Sequence, residues 1–158
     1  MLTPEVATFI EGKVMMLVAT RDATHRPMIG RGSGASYDGA SGLVTVLVSA
    51  SQWPDAVAHA GEGLPIATTY VRAHDYRAFQ IKGVITGVRE ADVAESERGV
   101  RYVREQLEVM MGLGVTRLQL SSTLSDRDLV AITFRPLDVF QQTPGPGAGQ
   151  RFSAEADA

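Results

Sequence analysis

Few residues in this chain have the type and spacing that chemistry needs. The histidines are His25, His59 and His74. No two have metal-ligand spacing, and there is no cysteine to complete a set. Thiolate zinc sites, disulfides and cysteine nucleophiles are thereby excluded. Asp126/Asp128 and Glu95/Glu97 are two residues apart, which does not put either pair on one helical face. Gly32-Ser33-Gly34 resembles a nucleophile elbow only superficially, because it falls inside a predicted strand and lacks the sharp turn into a helix. There is no phosphate loop and no dinucleotide fingerprint. The residues assign no catalytic side chain and no metal ligand.

What stands out instead is a surface. Pro27 to Ser36 reads Pro-Met-Ile-Gly-Arg-Gly-Ser-Gly-Ala-Ser, with Gly30, Gly32 and Gly34 at every second position. In a strand those glycines share one face, and Ile29, Arg31, Ser33 and Ala35 share the other. Glycine weakens a strand, so something must approach this backbone closely: a neighbouring element at a barrel corner, or a flat ligand. The following strand, Leu43 to Val48, empties into Ser49, Ser51, Gln52 and Trp53, and a helix starts near Pro54. A helix start favours an anion. Ser51 and Gln52 offer hydrogen bonds, and Trp53 either stacks on a ring or caps the core. Arg31 and Lys82 are the candidate cations, with Gly32 and Ser33 beside them. The constellation suits a planar ligand that carries phosphate.

The elements that hold these residues are mostly strands. Thr3 caps a short helix opened by Pro4. Strands follow at Val14–Thr20, Pro27–Ser36, Leu43–Val48, Pro65–Val71 and Tyr76–Arg89, most of them joined by polar turns. The predicted sixth strand is Leu129–Phe134, closed by Pro136. Ala91 to Leu113 is the one long helical signal, with Val100, Val103, Leu107 and Met110 repeating at helical spacing. Ser121 to Asp128 reads as a polar connection and 142–149 as a loop. Strands joined by turns predict a mainly β fold: a six-stranded antiparallel barrel with peripheral helices, one domain over 1–149, and a flexible tail over 150–158.

Bulk properties fit that reading. The chain has 158 residues, 44% hydrophobic and 21% charged, which suits one soluble domain. A net charge of −3 gives no broad basic field for nucleic acid. No apolar run is long enough to span a bilayer, and no basic leader opens the sequence, so the cytoplasm is the expected compartment.

The order of elements resembles the FMN-binding split-barrel family related to pyridoxamine 5′-phosphate oxidase. The carriers are Phe-Ile-Glu-Gly-Lys-Val-Met-Met-Leu-Val-Ala-Thr-Arg-Asp (9–22), Val-Ser-Ala-Ser-Gln-Trp-Pro-Asp (48–55), Phe-Gln-Ile-Lys-Gly (79–83), Asp-Leu-Val-Ala-Ile-Thr-Phe-Arg-Pro (128–136) and Gln-Thr-Pro-Gly-Pro-Gly-Ala-Gly (142–149). The resemblance implies a split barrel and a homodimer with FMN in clefts between the subunits. In the oxidase branch a second-strand lysine and a Ser-Arg-Lys type motif reach the phosphate. Here the lysine falls at Ala35, Ser51 matches the serine, and Gln52 and Trp53 replace the two cations. The family's glutamine before the fifth strand falls at Ala78. Full oxidase activity is therefore not expected. The implied function is an FMN-dependent oxidoreductase of unknown substrate, with Arg31, Gly32, Ser33, Ser51, Gln52, Trp53 and Lys82 as cofactor contacts. The alternatives are a non-catalytic module for flavin, deazaflavin or haem, and a cofactor-free structural dimer.

Overall fold

A computed structural model describes residues 1–152. Six antiparallel strands close into a barrel in the order β1-β2-β3-β6-β5-β4. They are β1 (Met15–Arg21), β2 (Pro27–Asp38), β3 (Leu43–Ser49), β4 (Pro65–Val71), β5 (Ala78–Glu90) and β6 (Leu129–Gln141). Four helices surround them: α1 (Pro4–Ile10), α2 (Pro54–Ala58), α3 (Val93–Gly112) and α4 (Arg117–Ser121). Among the described residues, no helix is long and apolar enough to cross a membrane.

Alternation fills the barrel. Val14, Met16 and Val18 from the first strand region, Val44, Val46 and Val48 from β3, and Ile81, Ile85, Ile132 and Phe134 from β5 and β6 are at most 2% exposed. This is the inward face of a period-two pattern. The hairpin β1–β2 is tied by Asp22. Its carboxylate accepts hydrogen bonds from Thr24 N (2.8 Å), Thr24 Oγ1 (2.7 Å), Arg26 N (2.9 Å) and Arg26 Nε (2.7 Å).

The glycine strand does not alternate to its end. Gly32 pairs with Val48 and Ala35 with Val46, so Ser33 and Gly34 together oppose Leu47. This is a β-bulge, and Gly34 takes the positive φ of 128° that it needs. Past the bulge the faces exchange. Gly30, Gly32 and Ala35 face the barrel interior, whereas Gly34 faces outward against Leu47 and Arg98.

The last strand corrects the sequence reading, because β6 runs through Pro136 to Gln141. Proline cannot donate to a ladder, but here it lies opposite Gly83, next to a bulge in which Leu137 of β6 is the extra residue. Helix α3 begins at a capping box in which Asp92 and Glu95 exchange bonds of 2.9 Å. Its fully buried residues are Gly99, Tyr102 and Gln106; of the expected apolar stripe, Val103, Leu107 and Met110 pack half-buried against the core, and Val100 is 51% exposed. Gly99 lets the helix lie against Leu129 and the Ser33 carbonyl.

Gln142–Gly149 is a tight reversal that returns the chain alongside β6. Gly149 N donates to Gln141 O, and Phe152 N donates to Val139 O. Phe152 packs edge-on to Phe79. The expected flexible tail therefore starts with three residues laid against the barrel, and 153–158 lie outside the described residues.

Candidate functional site

Where β3 ends, the chain leaves the sheet beside the segment that precedes β6. Ala50 N donates to Asp128 O at 2.9 Å and Trp53 N to Ser49 O at 2.9 Å. This turns Ser51 and Gln52 toward α3 and α4. Gln52 Nε2 donates to Ser121 O at 3.3 Å. The result is a cleft of about 530 Å³, within the range of small-molecule sites. Its floor is apolar: Val103 and Leu107 from α3, Leu120 from α4, and Leu124. Arg117, Arg127 and Asp126 complete the lining.

Helix α4 positions one of those arginines. Thr116 caps it by accepting from Gln119 N, and Gln119 Oε1 accepts from Thr116 N at 2.8 Å. The Thr-x-x-Gln signature at 116–119 is legible in the sequence, but the reading of a polar connection passes over it. Arg117 and Arg127 are missed with it. Neither forms an ion pair among the described residues. Gln52 Oε1 is buried and accepts no hydrogen bond. The cleft thus holds two arginines without a direct ion-pair partner among the described residues, the single carboxylate of Asp126, an acceptor without a donor and an apolar floor.

The residues expected to contact a cofactor do not converge. Ser51 and Gln52 line the cleft. Ser33 does not reach it: the residue is 2% exposed, and its hydroxyl donates to Ser125 O at 2.5 Å, which fixes the cleft wall from behind. The side-chain space of Gly32 is filled by Met16 and Val46. Trp53 packs on the core beside Gly30. Of the two explanations for the glycines, close internal packing is the one seen. Helix α2, where an anion was expected, has five residues and no side-chain cap.

Lys82 lies elsewhere. It projects from the outer face of β5, with Nζ 4.8 Å from the centre of the Phe140 ring, and borders a separate hollow over β4 and β5. Ala35, which stands where a phosphate-binding lysine was expected, is 3% exposed inside the barrel. The bulge is the reason, since it turns that position inward. Ala78 is buried as well, with its amide bonded to Thr143 Oγ1 at 3.1 Å.

Arg31 is the remaining cation. It lies on the outward face of β2, opposite Leu17 of β1. Its Nε and Nη2 are buried and have no hydrogen-bond partner. The nearby Tyr102 hydroxyl donates to Val14 O at 2.8 Å. Burial pushes that hydroxyl's pKa well up, and the Arg31 charge pulls in the opposite direction. An unpaired guanidinium edge in such a place has a strong demand for an acceptor. Among the described residues, no group of three His, Cys, Asp or Glu side chains could hold a metal ion.

No family model matches the chain, and no curated protein sequence matches it. Solved structures do match the backbone. Group A Streptococcus HupZ aligns over 94% of this chain and 100% of its own, with 16% identity and a TM-score of 0.52. The fold is a split barrel. A histidine-to-alanine variant of HupZ gives 15% identity and a TM-score of 0.53 over 89% of this chain and 99% of its own. A putative pyridoxamine 5′-phosphate oxidase from Lactobacillus delbrueckii is also similar, at 13% identity and a TM-score of 0.49 over 88% of this chain and 93% of its own. Likeness at these identities concerns the fold alone.

Proposed function

We propose that this split-barrel protein binds FMN, works as a homodimer and serves as an oxidoreductase. The observation that carries the reading is the pair of arginines, Arg117 and Arg127, which outnumber the one carboxylate, Asp126, in the cleft where Gln52 Oε1 waits for a donor. The donor set fits the group. Arginines take phosphate through charge-assisted bonds. Gln52 Oε1 suits a ribityl hydroxyl or a ring imide N–H. Val103, Leu107, Leu120 and Leu124 suit an apolar ring edge. The cations that the resemblance places on β2 and at the end of β3 are in this view relocated to α4 and the segment before β6. Arg31 offers a further acceptor-seeking edge, and Ser33 acts as a positioning residue through Ser125.

Bound flavin supplies the hydride and electron transfer chemistry, so no side chain need be a general acid or base. The chain's own residues hold the phosphate, orient the ring and keep one side of the cleft dry. The dimer is supported by the outer face of β1 and β2, where Leu17 is 42% and Ile29 60% exposed. A solvated antiparallel sheet face is expected to be polar.

A second reading is a cofactor-free structural dimer or a non-catalytic binding module for flavin, deazaflavin or haem. It is favoured by the withdrawal of Gly32, Trp53 and Lys82 from the cleft. Purified protein separates the two. Saturable FMN uptake, with flavin released on denaturation and bound flavin reducible by NADH or NADPH, supports the enzyme. Colourless protein that takes up no FMN on titration overturns the flavin reading. Gel filtration with light scattering reports the dimer.

A further inference from the structure

A second cavity lies away from the flavin cleft and shares no residue with it. It measures about 730 Å³ and opens between α1, the link to β1, the β4–β5 turn and Val109 of α3. Phe9, Val14 and Val109 give it apolar walls, while Lys13, Arg72 and Arg77 bring positive charge.

The two arginines are held in place. Asp75 takes Arg72 through Nε (3.0 Å) and Nη2 (2.5 Å), and Glu5 pairs with Arg77. Both guanidiniums lie over the Phe9 ring, at 5.6 and 6.0 Å from its centroid. Such a stack fixes their planes and leaves N–H edges free, because a guanidinium has more donors than one carboxylate can use. Lys13 has no carboxylate partner among the described residues. Lys13, Arg72 and Arg77 against Glu5 and Asp75 leave one positive charge uncompensated beside an aromatic and aliphatic wall.

We propose that this cavity binds a small apolar carboxylate, its hydrocarbon or aromatic body against Phe9, Val14 and Val109 and its carboxylate at Lys13 and the free arginine edges. Charge complementarity selects the anion. The apolar wall selects against a fully hydrated one such as inorganic phosphate, which would leave that wall bare.

Fluorescence titration with 1-pyrenebutyrate tests the assignment, with 1-pyrenebutylamine as the charge-reversed control. Both are run on the intact protein with and without saturating FMN. The expected result is saturable one-to-one binding of the carboxylate that FMN does not displace, with the amine at least about tenfold weaker. Lys13→Glu and, as a second variant, Thr8→Glu on the rim are each expected to weaken the carboxylate about tenfold or more with an unchanged circular dichroism spectrum. Equal binding of the two probes, or no saturable binding, overturns the proposal. So does carboxylate binding that is lost in Arg127→Ala but kept in Lys13→Glu, since the probe would then occupy the flavin cleft. Because FMN uptake is read separately, failure of this site and failure of the flavin reading are distinguishable.

Discussion

Gly30 and Trp53 meet inside the barrel mouth so closely that a Cβ on Gly30 would stand 3.0 Å from Trp53 Cβ and 3.1 Å from Trp53 Cγ. At Gly32 the same atom would lie 2.9 Å from Met16 Cβ. Met16 Cβ is fixed to the backbone of β1 and cannot swing away. Gly32→Ala should therefore cost about 1–3 kcal/mol in urea unfolding through overpacking. Gly30→Ala should cost slightly less, because its nearest neighbour, Trp53 Cβ, stands at 3.0 Å rather than 2.9 Å. FMN affinity of the folded variants should be unchanged. A Gly32→Ala protein of full stability but weakened FMN binding would restore the glycines as a ligand wall.

The glycine strand also shows what the sequence could convey. Its existence, its hairpin partners and its closeness to Trp53 all follow from local pattern. The bulge does not, because it depends on Leu47 and on α3 arriving from elsewhere in the chain. For the same reason Ala35 reads as sharing a face with Arg31 and Ser33 and instead joins the core. Strand β6 reads as ending at Pro136 because the bulge at Leu137 that carries the strand onward shows only in its pairing with β5. The six strands and the Thr3 cap are legible from alternation and capping chemistry. The cleft is half legible. Ser51 and Gln52 sit at a recognisable strand exit, but the bond from Gln52 to Ser121 spans 69 positions. Arg117 and Arg127 belong to no motif, and only the Thr116 capping box hints at the helix that carries the first.

If Arg117 and Arg127 hold phosphate, each removes a charge-assisted interaction when replaced. Arg117→Ala and Arg127→Ala should each weaken FMN about 10- to 100-fold. Riboflavin, which lacks the phosphate, should bind the wild type and both variants almost equally. Isothermal titration with the two ligands checks this. Equal losses for FMN and riboflavin would assign the arginines to shape rather than phosphate.

Arg31 predicts opposite signs for two measurements. Its Nε and Nη2 are buried without partners, which costs stability when no acceptor is present. Arg31→Met keeps the volume and removes that demand. Ligand-free protein should become more stable, by roughly 1 kcal/mol in urea unfolding, while FMN affinity falls about tenfold. Greater stability with undiminished affinity would remove Arg31 from the flavin site. Lower stability would mean that the guanidinium packs or bonds usefully in the free protein.

Asp22 sets a pH dependence that is independent of any ligand. Bonds from the Thr24 hydroxyl, from Arg26 and from the Thr24 and Arg26 amides hold its carboxyl far below the ordinary value of 3.8. A carboxyl whose pKa is depressed in the folded state binds its proton more readily when unfolded. Its contribution to stability is therefore complete above that ordinary value and is lost as pH falls through and below it. Asp22→Asn keeps the size but cannot accept bonds at both terminal atoms from four donors. At pH 7 its urea midpoint should lie below that of the wild type. Between about pH 5 and about pH 2 the wild-type midpoint should fall more steeply, so the two curves converge. Parallel curves over that range would show that another carboxylate governs acid stability and that the β1–β2 turn does not depend on the Asp22 charge.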